Sequence, residues 1–128
     1  MISLVDAAAL TAAVVVLGTV ACSRLAGTKP AEAAELAKQP GTFILDVRTE
    51  GEYAQGHLER AVLIPVQDLP GRLSELPPDK KVPVLVYCAV GGRSSMAAVL
   101  LKAKGYASVH DLSGGIVAWQ GAGLPVVR

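Results

Sequence analysis

Short apolar runs alternate with amphipathic stretches along most of this chain. Four short runs bounded by turn residues predict strands, and they cover residues 42–47, 62–66, 82–87 and 108–112. Helical spacing and end signals predict helices around them, at residues 30–38, 50–55, 67–76, 94–104 and 116–120. Strands that alternate with helices predict an α/β fold, in which helices cover both faces of a central parallel sheet. Such sheets bind ligands beyond the carboxyl ends of their strands.

The N-terminal part of the chain shows no such alternation. Residues 7–22 are apolar apart from two threonines, and the apolar character continues backwards past Asp6. A helix over residues 1–23 reaches roughly 34 Å, about the thickness of a bilayer core. A helix that is apolar all round has no face for water. We therefore expect an N-terminal apolar helix in a membrane rather than a helix of the folded domain.

Three interpretations of this apolar segment stay open. It is a retained membrane anchor, a secretory signal cleaved after residues 19–21, or a lipoprotein signal that ends at Cys22. Both signal interpretations need positive charge near the N-terminus, but Asp6 is the only charged side chain before Arg24. Because Arg24 and Lys29 follow the apolar run, the positive-inside rule favours an anchor in the inner or plasma membrane, with the domain on the cytoplasmic side. A periplasmic lipoprotein anchored at Cys22 is the alternative.

The length and charge of the rest of the chain limit the number of its domains and the kind of partner that it binds. We divide the 128 residues into a membrane segment at 1–23, a linker at 24–29 and one domain at 30–128. About a hundred residues bury one core but not two. Residues 24–128 carry all 12 basic residues and 10 of the 11 acidic ones, a net charge of +2. No block of like charge stands out, so we expect no nucleic-acid partner.

The two cysteines, Cys22 and Cys88, lie far apart in the sequence, and we interpret them as independent thiols. The chain has no C-x-x-C motif and no cluster of Cys and His, so we expect neither a metal site nor a dithiol redox site. We also predict no cofactor. Of the two histidines, we expect His57 to make a structural hydrogen bond and His110 to lie at the surface. Trp119 is predicted to pack in the core.

The segment after the third predicted strand carries the clearest chemical signal. Cys88 ends that strand, and Gly91, Gly92 and Arg93 connect it to the next helix. Glycines allow backbone angles through which several N–H groups point at one place, and a helix N-terminus adds its dipole. These effects and the charge of Arg93 favour an anion and should lower the pKa of the Cys88 thiol. A thiolate there can attack a sulfane sulfur and hold it as a persulfide.

Three pieces of the sequence together resemble single-domain rhodaneses. They are the Cys-Ala-Val-Gly-Gly-Arg-Ser loop at residues 88–94, the D-V-R, E-Y and G-H element within residues 46–57, and the closing segment at residues 109–126. In this order they form a highly specific combination, and the resemblance extends from about Pro30 to the end of the chain. An apolar anchor ahead of such a domain is a known arrangement in the family.

This resemblance implies a rhodanese-like fold and an enzyme that moves sulfane sulfur from thiosulfate or a persulfide donor to a thiophilic acceptor. It implies that Cys88 carries the persulfide and that Asp46 and Arg48 support the reactive loop. It implies a substrate-binding role for the remaining loop residues, Ala89, Val90, Gly91, Gly92, Arg93 and Ser94. The expected partners are small sulfur-containing anions and a sulfur-acceptor protein. A catalytically idle binding or regulatory module of the same family is the alternative.

Two departures and the loop length refine this resemblance. Arg60 stands where the family usually has glycine, and Leu63 stands where it often has asparagine, so the local turn and substrate access are in question. Phosphatases and arsenate reductases of related architecture use the same kind of loop for larger anions. Rhodanese-like and tyrosine phosphatases place five residues between Cys and Arg, whereas four separate Cys88 from Arg93. The shorter loop favours sulfur over a tetrahedral phosphate or arsenate.

Overall fold

The computed structural model describes residues 27–128. The predicted membrane segment at residues 1–23, including Cys22, lies outside the described residues. From residue 27 onwards, no helix is both long and apolar enough to cross a membrane. The expectations about the apolar segment therefore stay predictions from the sequence.

Four parallel strands form the central sheet. They are β1 (Phe43–Asp46), β2 (Val62–Leu63), β3 (Val84–Tyr87) and β4 (Val109–Asp111), in the order β2-β1-β3-β4. The register pairs Asp46 with Tyr87, so β1 and β3 end at the same level. Because the two strands are parallel, the residues that follow them meet at one edge of the sheet. The predicted α/β fold with a parallel sheet is confirmed.

Four helices flank this sheet: α1 (Pro30–Lys38), α2 (Glu50–Gln55), α3 (Gly92–Ala103) and α4 (Gly115–Gly121). Helix α1 begins with a proline in its first turn, where the missing N–H is not needed. Helix α2 begins with a capping box, in which the side chains of Thr49 and Glu52 each accept a hydrogen bond from the other's backbone N–H. This cap places Glu52 in the first turn of the helix that follows β1, close to the edge where β3 ends.

The side chains around β3 belong to two hydrophobic clusters, one on each face of the sheet. The cluster under α3 contains Val84, Val86, Cys88 and Leu101. The cluster under α1 and α4 contains Leu85, Tyr87, Ala33 and Trp119. This alternation is the period of two expected of a strand, and it places Cys88 and Tyr87 on opposite faces. Trp119 is buried in the core, as predicted.

The helix predicted over residues 67–76 is wrong. The structure has two short 3-10 turns there, Leu69–Gly71 and Leu73–Glu75. Pro70 has no N–H to donate to an earlier carbonyl, and the glycine beside it is a poor helix former, so no α-helix propagates. Leu69 and Leu76 are nevertheless buried, which explains why the apolar residues have helical spacing. The strand predicted over residues 62–66 is also shorter and covers only Val62–Leu63, since Pro65 has no N–H to continue the ladder.

The turn before β2 forms without the glycine of the family pattern. Arg60 has a φ of 67°, in the left-handed region that favours glycine. Its guanidinium donates a hydrogen bond to the carbonyl oxygen of Ala37, and the N–H of Ala61 donates to the carbonyl oxygen of Leu58 at 3.0 Å. These contacts hold an L side chain in a conformation that it rarely adopts. The second departure, Leu63, lies in β2 and pairs with Asp46 in the register.

Candidate active site

Cys88 follows β3 directly, at the carboxyl edge of the sheet, and the residue is 1% exposed. The backbone N–H of Gly91 donates a hydrogen bond to its Sγ at 3.0 Å. The Ser94 Oγ lies 3.4 Å from the same sulfur and donates to the carbonyl oxygen of Gly91 at 3.1 Å. A hydroxyl can rotate, so Ser94 can accept from a thiol or donate to a thiolate. The loop and the first turn of α3 therefore both contact the sulfur.

These contacts determine the ionisation of Cys88. Burial alone raises the pKa of the thiol, because it removes the thiolate from water. Hydrogen bonds from the Ser94 side chain and from the backbone N–H groups of Ser94, Gly91 and Val90 act in the other direction. They outweigh burial and hold the pKa of Cys88 below its ordinary value. The environment therefore favours a thiolate, which is the nucleophilic form of cysteine.

The two glycines of the loop have different structural roles. Gly91 has a φ of 130°, which an L side chain rarely adopts, and this conformation turns its N–H toward the sulfur. Gly92 is the first residue of α3, has ordinary backbone angles, and a Cβ built on it meets no atom within 4 Å. The sequence predicted unusual angles at both glycines, and only Gly91 has them. The shape of the loop thus depends on Gly91.

The first turn of helix α4 donates backbone hydrogen bonds to the start of the loop. The backbone N–H of Ile116 donates to the carbonyl oxygen of Cys88 at 3.0 Å, and that of Val117 donates to Ala89 at 3.2 Å. Gly115 approaches so closely that a Cβ there would lie 2.4 Å from the carbonyl oxygen of Ala89. The sequence predicted a short helix at residues 116–120 and a resemblance to the family in this segment, but not its contact with the loop. The Ser-Gly-Gly before the helix was the signal for a close backbone approach.

Arg93 makes a bidentate ion pair with Glu52. Its Nη1 and Nη2 lie 2.7 and 3.0 Å from the two carboxylate oxygens. These hydrogen bonds, together with those from Thr49, hold the pKa of Glu52 at about 2, against an opposing effect of burial. The charges of Arg93 and Cys88 also act on each other. Arg93 was predicted to add its charge to the loop, and Glu52 is the partner that the sequence analysis missed.

Asp46 and Arg48 form a second, buried pair under the same edge. The Nε and Nη2 of Arg48 lie 3.1 and 2.8 Å from the Asp46 Oδ2. Tyr87 donates its hydroxyl proton to that oxygen at 2.7 Å and accepts the N–H of Leu58 at 3.1 Å. Burial and the neighbouring Asp46 carboxylate raise the pKa of Tyr87, so its hydroxyl stays protonated. The network joins the ends of β1 and β3 and lies away from the Cys88 sulfur.

The predicted site residues Cys88, Ala89, Val90, Gly91, Gly92, Arg93 and Ser94 form one loop after β3, in which Gly91 and Ser94 contact the sulfur while the Arg93 side chain binds Glu52. Val90 lies at the rim and is 69% exposed, whereas Ser94 is buried. Asp46 and Arg48 lie outside the loop and form a buried ion pair with each other, and their supporting role stays a prediction. Tyr87 faces away from Cys88, and nothing in the sequence signalled its hydrogen bond to Asp46.

The two histidines lie outside the loop. The Nδ1 of His57 is 2.9 Å from the carbonyl oxygen of Tyr53, which confirms the predicted structural hydrogen bond. His110 is half-buried next to the Ser108 hydroxyl rather than at the surface. Within residues 27–128, no group of three or more His, Cys, Asp or Glu side chains is arranged to hold a metal ion.

Comparison with known proteins agrees with this geometry. The family model of the rhodanese-like domain matches residues 29–122. The chain belongs to the rhodanese-like family. A crystal structure of a rhodanese-related protein from Thermoplasma volcanium superposes with a TM-score of 0.71 and 31% identity. That match covers 79% of this chain and 96% of the other.

Curated relatives of this rhodanese-like domain differ in their names. A sulfurtransferase from Allochromatium vinosum is 41% identical over 92 residues, which cover 72% of this chain and 84% of the relative. A tRNA uridine(34) hydroxylase from Chlamydia trachomatis is 34% identical over 96 residues, or 70% of this chain. The chain spans only 29% of the length of that hydroxylase.

Proposed function

We propose that this protein is a sulfurtransferase that carries sulfane sulfur as a persulfide on Cys88. The observation that carries this proposal is the environment of the Cys88 sulfur. The sulfur is buried, accepts the N–H of Gly91, and has a lowered pKa because of the loop amides and Ser94. The name of the Allochromatium vinosum relative supports the same activity.

The reaction has two displacement steps. In the first, the Cys88 thiolate attacks the sulfane sulfur of thiosulfate or of a persulfide. A new S–S bond forms, and sulfite or a thiolate leaves with the electron pair of the broken S–S bond. In the second, a thiophilic acceptor such as cyanide or a thiolate attacks the outer sulfur and releases the Cys88 thiolate. The loop N–H groups stabilise the negative charge on sulfur before and after transfer, so they need no rearrangement between the steps.

The first test is intact-mass analysis of the whole chain after incubation with a sulfane donor. We expect one added sulfur atom, which cyanide or a reductant removes. Cys88→Ser should prevent this addition, because the hydroxyl is a poor nucleophile toward sulfane sulfur. Cys22→Ser is the matched control and should still take up the sulfur. If Cys88 takes up no sulfur from several donors, the family alternative of an idle binding module becomes the better account.

The length of the loop gives a second test. Four residues between Cys88 and Arg93 make a small cradle for an anion, which favours a sulfur atom over a tetrahedral phosphate. We expect no useful hydrolysis of aryl phosphates by the wild type. Hydrolysis at rates of about 1 per second or more, typical of an enzyme, would instead favour a phosphatase.

We further propose that residues 1–23 attach the domain to the inner or plasma membrane, facing the cytoplasm, where it exchanges sulfur with small anions and an acceptor protein. This rests on the apolar segment and on the positive charges after it. The whole chain should sediment with membranes and resist carbonate extraction. Cys22→Ala should leave this attachment unchanged. Loss of processing and lipid labelling in that variant would favour the lipoprotein alternative.

A further inference from the structure

The cation nearest the reactive loop is already occupied. Both terminal nitrogens of Arg93 donate hydrogen bonds to the Glu52 carboxylate, in a bidentate geometry with N···O distances of 2.7 and 3.0 Å. Glu52 is held in place by hydrogen bonds with Thr49 at the start of α2. Because the pKa of Glu52 is about 2, the carboxylate stays charged at neutral pH. An anion that approaches Cys88 therefore meets a neutralised pair rather than a free guanidinium.

Among residues 27–128, the other groups that bind the sulfur or its loop carry no positive charge that could replace it. The four residues between Cys88 and Arg93 are uncharged, and the exposed side chain among them, that of Val90, is apolar. Val117 binds the Ala89 carbonyl through its N–H and is itself 59% exposed, so it extends this apolar rim. Arg48 is buried and bound to Asp46. In the part of the chain that the structure describes, the loop thus has an apolar rim and no second cation bound to it, and the Asp111 carboxylate lies beside it, 2.9 Å from the Ser95 hydroxyl.

This environment treats two classes of sulfane donor differently. Thiosulfate is a small dianion, and it must bring two negative charges up to a thiolate. Without a free cation, this repulsion is offset only by the loop N–H groups. In the persulfide of a zwitterionic thiol, such as cysteine persulfide, the carboxylate is balanced by the ammonium group. Its reaction with Cys88 forms one S–S bond, breaks another and releases the cysteine thiolate.

We propose that Glu52 is a specificity-determining residue, which neutralises Arg93 and thereby disfavours thiosulfate relative to the persulfide of a zwitterionic thiol. This inference rests on the proposed sulfur transfer through Cys88. Glu52 need not contact the reacting sulfur for this effect. Glu52 acts mainly by occupying the Arg93 guanidinium, so most of its effect should be lost when Arg93 is replaced, and the remainder is direct repulsion between the Glu52 carboxylate and the donor.

The test uses Glu52→Gln in the whole chain. Glutamine also serves at the third position of a capping box, so α2 keeps its N-terminal cap while the charge is removed. Glu35→Gln is the matched control, since it makes the same change of net charge in the exposed Glu35–Lys38 pair of α1. We measure kcat/KM with thiosulfate and with cysteine persulfide, both with cyanide as acceptor, at low and high salt.

Glu52→Gln should raise the ratio of kcat/KM for thiosulfate to kcat/KM for cysteine persulfide by roughly three- to tenfold at low salt. The gain should shrink at high salt, because salt screens partly exposed charges. Glu35→Gln should leave the ratio at the wild-type value. In an Arg93→Met background, Glu52→Gln should change the ratio much less, because only the direct repulsion between the carboxylate and the donor is then removed.

Two results overturn the inference, and a third is distinct from both. The same ratio in Glu52→Gln and Glu35→Gln would show that the pair does not discriminate between donors. A rise in the ratio that is as large in the Arg93→Met background as in the wild-type background would show that Glu52 does not act through Arg93. If neither donor loads Cys88 in any variant, the proposed sulfur transfer itself fails.

Discussion

Two arginine–carboxylate pairs lie at the carboxyl edge of the sheet, and their surroundings differ. The side chains of Arg48 and Asp46 are 6% and 0% exposed, whereas those of Arg93 and Glu52 are 36% and 32% exposed. In both pairs, two nitrogens of the arginine contact the carboxylate. Similar geometry therefore occurs in two different dielectric environments.

This difference in exposure determines what each pair contributes to stability and to ligand binding. Loss of one partner from a buried pair leaves the other charge without water or a counterion, so breaking the buried pair strongly destabilises the fold. A partly exposed pair contributes little stability because water solvates either partner alone. It can, however, change the charge that a ligand meets. We therefore expect the Asp46–Arg48 pair to determine whether the loop is held in place, and the Glu52–Arg93 pair to affect which donors it accepts.

The largest expected effect is on the buried pair. Arg48→Met keeps an unbranched apolar stem but leaves the Asp46 carboxylate without its cation. We expect a loss of about 3–5 kcal/mol in the free energy of unfolding, measured by urea denaturation. Arg72→Met is the control, because Arg72 pairs with Glu75 at the surface, and it should be nearly indistinguishable from wild type. Equal effects of the two variants would mean that burial does not separate these pairs.

A smaller loss is expected from Tyr87→Phe. The hydroxyl donates to Asp46 and accepts the buried N–H of Leu58, so its removal leaves two buried polar groups short of a partner. We expect about 1–3 kcal/mol in urea denaturation. Tyr106→Phe provides a comparison, since that hydroxyl only donates to the Pro77 carbonyl and leaves no N–H unpaired. A Tyr87→Phe protein as stable as the Tyr106→Phe protein would argue against the network.

The next prediction concerns the pKa of Cys88. Ser94→Ala removes a hydrogen bond that stabilises the thiolate, so the pKa should rise and alkylation by iodoacetamide should need higher pH. A lost hydrogen bond of about 1 kcal/mol slows alkylation roughly fivefold below the pKa. Arg93→Met should move the pH profile less, because the Arg93 guanidinium is bound to Glu52 and the hydrogen bonds that lower the pKa of Cys88 come from Ser94 and the loop amides. A larger shift in Arg93→Met than in Ser94→Ala would contradict this ranking.

The smallest effect is the pH dependence of the exposed pair. The pKa of Glu52 is about 2 in the folded chain, below its ordinary value of 4.5. A lowered pKa stabilises the native state above the ordinary value, and this contribution disappears as the pH falls toward the folded value. Because the pair is partly exposed, we expect less than about 1 kcal/mol. The stability difference between wild type and Glu52→Gln should be visible near about pH 6 and nearly absent near about pH 2.

The local part of the site could be predicted from sequence, because its residues are consecutive. An apolar strand, a cysteine, two glycines and a helix place N–H groups near Cys88 in almost any parallel sheet. The partners of Arg93 and Tyr87 lie 41 residues away in sequence, and such contacts depend on how the strands are paired. The register that aligns Asp46 with Tyr87 is the missing information.

The errors in the predicted secondary structure have a related cause. Apolar spacing over residues 67–76 reports which side chains are buried, and Leu69 and Leu76 are indeed buried. It does not report the hydrogen bonds that Pro70 cannot make, and those decide between an α-helix and 3-10 turns. At Arg60, a missing glycine suggested an altered turn, whereas the contact with Ala37 preserves the left-handed conformation. Tertiary contacts decided both cases.

The close approach of Gly115 to the loop makes the mutational tolerance of the chain uneven. A Cβ at position 115 would lie within 2.5 Å of the backbone carbonyl atoms of Cys88 and Ala89. Backbone atoms cannot rotate out of the way as a side chain can, so no repacking elsewhere accommodates even alanine. At Gly51 and Gly121 a Cβ meets no atom within 4 Å. In a randomised library, sequences that keep a working loop should therefore retain glycine at position 115 and vary freely at those two positions.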